Sequence, residues 1–308
     1  MLPVSGPDRD RVVGRMWVLS AGLCMSLGGP IIRLADESTA WQFLFYRSLG
    51  AALALLVYFL VVRRPVLAAI RRTGAAGLVG ALCLAVGFTG YVWGVMNSTV
   101  ANALFLIGAS PLFAALLGWV ALREPVSRSM RFAMGGVMAG VAIMIGEGLA
   151  EADLFGDLAA LAAALGFAGF SVCIRRGRHT DMSPTILIAA ALTAAVSGAM
   201  AAAADTGLAV PAADIGLAAA YGVLVIGAGI FMLTVGARHV PAAELVVLSL
   251  TEVVFASIWV ALAFGELPSV LTFVGGTIVL GSITSQAIVG MRGLENLPRR
   301  TGISAGPD

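Results

Sequence analysis

Residues 242–266 read AAELVVLSLTEVVFASIWVALAFGE, a run long enough to cross a bilayer that nevertheless carries two acids, Glu244 and Glu252. Spanning takes about 20 apolar residues, and an acid near the bilayer centre costs about 2.5–3.5 kcal/mol on insertion scales. An acid kept there is expected to face a polar cavity rather than lipid. Glu244, Leu248 and Glu252 follow at intervals of four and share one helix face.

A second version of this stretch, VANALFLIGASPLFAALLGWVALRE at 100–124, stands 142 residues upstream. Without a gap, Leu106 falls on Leu248, Phe113 on Phe255, Ala114 on Ala256 and Glu124 on Glu266. Asn102 falls on Glu244 and Ser110 on Glu252, so polar residues hold the same two positions in both copies. The offset also sets Gly80, Gly87 and Gly94 on Gly222, Gly229 and Gly236, and Arg33 on Arg175. Glycines seven apart share a helix face and admit a neighbouring backbone, so these six predict two helices packed tightly against partners.

Composition bounds the function. Of 308 residues 59% are hydrophobic and 12% charged, the balance of a polytopic membrane protein. All 19 basic residues are Arg, and the absence of Lys removes the Walker phosphate loop and Schiff-base chemistry. A net charge of +2, with its arginines scattered among short loops, excludes a nucleic-acid partner. Cys24, Cys83 and Cys173 lie singly in apolar runs, and no HExxH or GxSxG motif occurs. No metal, no cofactor and no enzymatic activity are therefore expected.

Ten apolar runs are read at 16–34, 41–62, 74–96, 98–122, 130–146, 155–174, 183–204, 212–237, 242–264 and 269–289. Reading alternate loops as one side collects 17 of the 19 arginines there, which the positive-inside rule makes cytoplasmic, together with both termini. The opposite loops are assigned Asp36, Glu37, Glu147, Glu151, Asp153, Asp157, Asp205, Asp214 and Glu266. The first run spans fully instead of ending at a cleavage site, so no signal peptide is expected. The chain then divides into a cytoplasmic segment 1–15, a first five-helix repeat 16–147, a second 148–290, and a polar tail 291–308 expected to be disordered. Five spans per copy, an odd number, turn the second copy upside down relative to the first. Inverted repeats recur in secondary transporters, where two similar halves exchange inward-open and outward-open packings about a midplane site. The fold expected is an all-α bundle of ten transmembrane helices in a 5+5 inverted repeat, acting as a monomer on a small-molecule substrate within the lipid bilayer.

The candidate substrate-binding residues are Glu252, near the centre of the cavity, with Ser110, Asn102, Glu244, Ser249, Phe88, Tyr91 and Phe167. For each, ordinary packing is the alternative. Pro111 breaks a helix at mid-depth and is either a gate or a static bend. Arg47 stands six residues after Trp41, roughly 9 Å deep at ~1.5 Å per residue. Its expected course is to snorkel outward, the alternative being to pair with an acid or a substrate carboxylate.

ASPLFAALLGWVALREPVS (109–127) and GGVMAGVAIMIG (135–146), echoed by TEVVFASIWVALAFGELPS and FVGGTIVLGSI, resemble the EamA-type transporters of the drug/metabolite transporter superfamily. The length and sequence look most like the bacterial YddG-type exporters. That resemblance implies ten spans, an inner-membrane location and export of amino acids, aromatic ones included. The alternatives are cationic drugs as cargo and, in a different class, an intramembrane enzyme acting on a lipid-linked substrate. The repeat partner of Pro111 is Val253, so gating is expected to be asymmetric.

Overall fold

Capped turns, glycines and prolines divide the chain into helices, and every regular element among the described residues is helical. The computed structural model describes residues 6–63, 65–123, 128–151, 154–177, 180, 182–204, 207–237, 239–240 and 242–295. The helices are α1 (Gly6–Met25), α2 (Gly28–Leu34), α3 (Ala40–Val61), α4 (Val66–Met96), α5 (Val100–Gly108), α6 (Ser110–Leu122) and α7 (Arg128–Glu151). They continue as α8 (Leu154–Arg176), α9 (Ser183–Ala203), α10 (Ala212–Ala220), a π-helical segment (Tyr221–Ala228), α11 (Gly229–Ala237), α12 (Ala242–Ser249), α13 (Thr251–Phe264) and α14 (Val270–Glu295). Eight stretches are long and apolar enough to cross a membrane, and Met130–Gly146 and Val270–Gln286 are shorter apolar helices.

Local chemistry explains the ends. Thr39 and Gln42 form a reciprocal capping box at the start of α3, Thr99 accepts from the Asn102 amide at the start of α5, and Ser269 accepts from the Thr272 amide at the start of α14. Helices α6 and α13 both stop on a left-handed residue, Arg123 (φ 55°) and Gly265 (φ 67°), which occupy equivalent places in the repeat. Gly74, at φ 61° and ψ −161°, kinks α4 and separates its first turns from the run predicted at 74–96.

The runs expected at 98–122 and 242–264 are each broken in the middle. Ahead of Pro111, which has no amide proton to give, the Ala109 amide donates to Leu106 at 3.1 Å in a tightened turn. The second break needs no proline: the Leu250 amide donates to Val247 at 3.2 Å. Hydroxyls satisfy the carbonyls that this break loosens, Ser249 donating to Leu245 at 2.8 Å and Thr251 to Leu248 at 2.6 Å.

Packing repeats with the halves exchanged. Helix α4 lies along α8 as α11 lies along α1, while α3 lies along α9 and α7 along α14. The glycine ladders carry these contacts, and the two copies differ. Side chains built on Gly80, Gly87 and Gly94 would all press on α8, at Cys173 (3.0 Å), Phe167 (2.8 Å) and Ala160 (3.0 Å). In the second copy Gly222 lies against the Arg47 carbonyl of α3, whereas Gly229 and Gly236 meet Met25 and Val18 of α1, each at 2.6 Å. The π-helical segment between them turns the later glycines to a different neighbour.

Gly166 marks a close approach of α8 to α4, since its Cβ would sit 2.5 Å from the Gly87 nitrogen and 2.6 Å from the Cys83 carbonyl. Gly166→Leu is expected to destabilise the protein by about 1–3 kcal/mol, seen as a lower Tm in detergent. Gly216→Ala, at a position with nothing within 4 Å, serves as the control and is expected to hold or raise it.

Candidate functional site

Two polar assemblies lie inside this apolar bundle. The first is built around Arg47 on α3. Its exposure is 1%, so it does not snorkel to an interface, contrary to the outward course expected of it. Gly50 explains the difference: one turn along, it brings the Ala219 carbonyl of α10 within 2.8 Å of where a Cβ would be, and this close approach leaves the arginine side of α3 enclosed. The guanidinium carbon sits 4.9 Å from the Phe88 ring centroid and 5.1 Å from that of Tyr221, a cation between two aromatic faces.

Tyr91 stands beside Tyr221, with the ring centroids 6.5 Å apart. Both phenolic oxygens converge on Gly28, where an added Cβ would lie 3.0 Å from each. Gly28 opens α2, just after the break at Ser26 and Leu27 in the first span. Ser26 holds that break by donating to the Leu23 carbonyl at 2.7 Å and accepting from Trp259 Nε1 at 3.1 Å. Glu252, at the second position of α13, is half-buried and close enough to act electrostatically on both phenols. Among the described residues Nε and Nη2 of Arg47 are buried without a hydrogen-bond partner.

The second assembly lies at the end of the bundle formed by 34–40, 96–100 and 264–270. Asp157 on α8, fully buried, accepts from Ser98 Oγ at 2.9 Å and from Asn102 Nδ2 at 2.5 Å, and Thr272 donates to Asn102 Oδ1 at 3.4 Å. Arg33 pairs with Glu266 at 2.9 Å and donates to the Ser98 carbonyl at 2.9 Å, while the Val100 amide donates to Glu266 at 2.5 Å. A cavity of about 610 Å³ lined by Arg33, Ser98, Thr99, Phe155, Phe264 and Glu266 lies over this network.

The structure thus divides the polar residues singled out in the sequence. It gathers Phe88, Tyr91 and Glu252 and adds Arg47 and Tyr221. Phe167 borders them by packing on Phe88 (centroids 6.5 Å) and Gly87. Asn102 belongs to the second assembly, Ser249 is bonded to its own helix, Ser110 is half-buried at the start of α6, and Pro111 is exposed beside it. Helices α5 and α13 touch, so the two broken spans do meet. The Glu244 side chain lies outside the described residues. Asp157 and Asp214, assigned to loops, sit inside the first turns of α8 and α10 and are buried, because a helix N-terminus tolerates an acid there. No trio of His, Cys, Asp or Glu placed to hold a metal occurs among the described residues.

The profile of the EamA-like transporter family matches the chain twice, over residues 12–146 and 154–285. The chain belongs to that family. The two matches begin 142 residues apart, the offset seen in the sequence, and make this a multi-pass membrane protein of a small-solute transporter family, not an enzyme family. A solved structure titled "Crystal structure of protein" aligns with a TM-score of 0.62 at 16% identity, over 91% of this chain and 98% of that one, and so shares the fold. Comparison with curated proteins gives no match.

Asp157 is the acceptor on which Ser98 and Asn102 converge. Asp157→Leu is expected to cost about 1–3 kcal/mol per donor left unpaired, read as a fall in Tm, and Asp157→Asn, which keeps one acceptor oxygen, is expected to cost less.

Proposed function

We propose that the protein is a secondary carrier that moves a small zwitterionic organic solute, an amino acid with aromatic ones included, out of a bacterial cell by alternating access. The reading takes the chain as ten spans in two inverted five-helix repeats, monomeric in the inner membrane with both termini cytoplasmic, as in the YddG-type exporters it resembles. Its support is a single juxtaposition: the enclosed Arg47 guanidinium, with two nitrogens unpartnered, and the half-buried Glu252 carboxylate share one aromatic centre with Tyr91 and Tyr221. A buried charge without a partner is costly and marks function inside a membrane. A solute carrying both a carboxylate and an ammonium supplies a counter-charge to each, and its side chain meets Phe88, Tyr91 and Tyr221. Phe167 and Ser249 support the walls in this reading, Asn102 and Ser110 line the route, and the break at Pro111 lets α5 and α6 move separately.

Each charge-assisted contact is worth about 1.5–3 kcal/mol. Arg47→Gln and Glu252→Gln are each expected to slow counterflow of labelled amino acids in proteoliposomes by about 10- to 100-fold. A Glu252→Gln carrier with wild-type rate and pH dependence overturns the assignment. Loss with Glu252→Gln but not with Arg47→Gln replaces the zwitterion by an organic cation, and chemical change of the solute replaces the carrier by an enzyme.

A further inference from the structure

The flank of the bundle holds a second large cavity, which the carrier reading does not use. It measures about 620 Å³ and lies between α4, α8, α9 and the start of α3. Its exposed lining, Leu82 and Val86 of α4 and Val196 of α9, stands on helices long and apolar enough to cross a membrane, so the cavity opens toward hydrocarbon. From Leu82 to Trp93 it follows α4 for about 16 Å at ~1.5 Å per residue. One end is aromatic: Trp41 in the first turn of α3 meets Trp93 in the last turn of α4 at 5.3 Å, and Trp93 meets Phe155 at 5.4 Å. Tryptophans at span ends sit at headgroup level. Phe155 also borders the 610 Å³ cavity with Arg33, Ser98 and Glu266, which makes this the polar end. Two donors among the lining residues are buried without a hydrogen-bond partner, Trp93 Nε1 and the hydroxyl of Thr193, a residue only 3% exposed. Hydrocarbon satisfies neither.

The repeat gives this cavity a counterpart that the chain fills itself. Gly87 faces Phe167 and Gly94 faces Ala160 where α4 meets α8, and at the same offset of 142 Gly229 faces Met25 and Gly236 faces Val18 where α11 meets α1. The two helix pairs therefore pack in one register. In that register Thr89 and Ala159, which line the cavity, correspond to Phe231 and Trp17. Those two rings are exposed on the outside of their helices and meet edge to face at 6.4 Å. The second half covers its flank with its own rings, whereas the first half places small side chains there.

We infer that this cavity binds a glycerophospholipid of the bilayer, with one acyl chain lying along α4 from Trp93 toward Leu82 and an ester carbonyl accepting from Trp93 Nε1. The acyl chain does for the first half what Trp17 and Phe231 do for the second. The site does not depend on what the protein carries. Its test is a titration of the purified protein, in mild detergent, with dipalmitoyl phosphatidylglycerol, the bound lipids being counted by native mass spectrometry. The wild-type protein is expected to hold one lipid in preference to any further ones. Thr89→Phe combined with Ala159→Trp copies the other half, and is expected to keep or raise Tm and to bind that lipid about 10-fold more weakly. Trp93→Phe keeps the ring and removes the N–H, and is expected to weaken binding about 5-fold. If the double variant does not fold, Thr89→Leu alone takes its place. Equal binding by the wild-type and filled proteins puts the lipid elsewhere and overturns the site. Unchanged binding by Trp93→Phe overturns the ester contact, and displacement of the lipid by free tryptophan makes the cavity a solute site instead.

Discussion

Hydrocarbon offers no hydrogen bonds, and this structure is arranged around that lack. A continuous helix satisfies its own backbone, so a chain that must also present polar groups at mid-depth has to break its helices only where protein fills the gap. The breaks at Ser26–Leu27, Ala109 and Leu250 meet that condition in different ways. Ser26 is closed by its own turn and by Trp259, Ala109 by a tightened turn ahead of Pro111, and Leu250 by the hydroxyls of Ser249 and Thr251. The same requirement explains Asp157, which is enclosed yet supplied with donors from Ser98 and Asn102.

Much of the scaffold was legible in the sequence because the features that carry it are periodic and duplicated. The 142-residue offset aligned the glycines, Arg33 with Arg175, and Glu124 with Glu266. Eight of the ten apolar runs fall on helices long and apolar enough to cross a membrane, and the runs at 130–146 and 269–289 fall on shorter apolar helices. The candidate site was legible only in part. Glu252, Phe88 and Tyr91 were visible as polar and aromatic residues in apolar runs. Arg47 was misdirected outward because depth alone does not say which way a helix face points, and Gly50, three residues on, was the signal of a close partner. Tyr221 was missed because nothing in its local pattern sets it apart from packing. Asp157 and Asp214 were assigned to loops because an acid at the edge of an apolar run looks the same whether it begins the helix or precedes it.

The duplicated scaffold encloses a centre that is not duplicated. Arg47, Phe88, Tyr91 and Tyr221 correspond to Ala189, Ile230, Leu233 and Val79, so the first half supplies the cation and two of the rings, and the second half supplies Tyr221 and the acid. The carrier proposed above would use the symmetry of the packing to trade conformations and the asymmetry of the polar groups to hold a solute in one orientation.

The winding of Tyr221–Ala228 has a further consequence for how this chain tolerates change. A π segment holds one residue more than the α-helix it replaces, which swings everything after it by about 100° at 3.6 residues per turn. Chain spacing and azimuth are thus uncoupled along Ala212–Ala237: Gly222 and Gly229 keep the interval of Gly80 and Gly87 yet serve two neighbours. Loss of a single residue there would relax the coil to ordinary winding and leave Gly229 and Gly236 seated on α1, so the bulge marks a place where evolution can add or drop one residue without unseating the bundle.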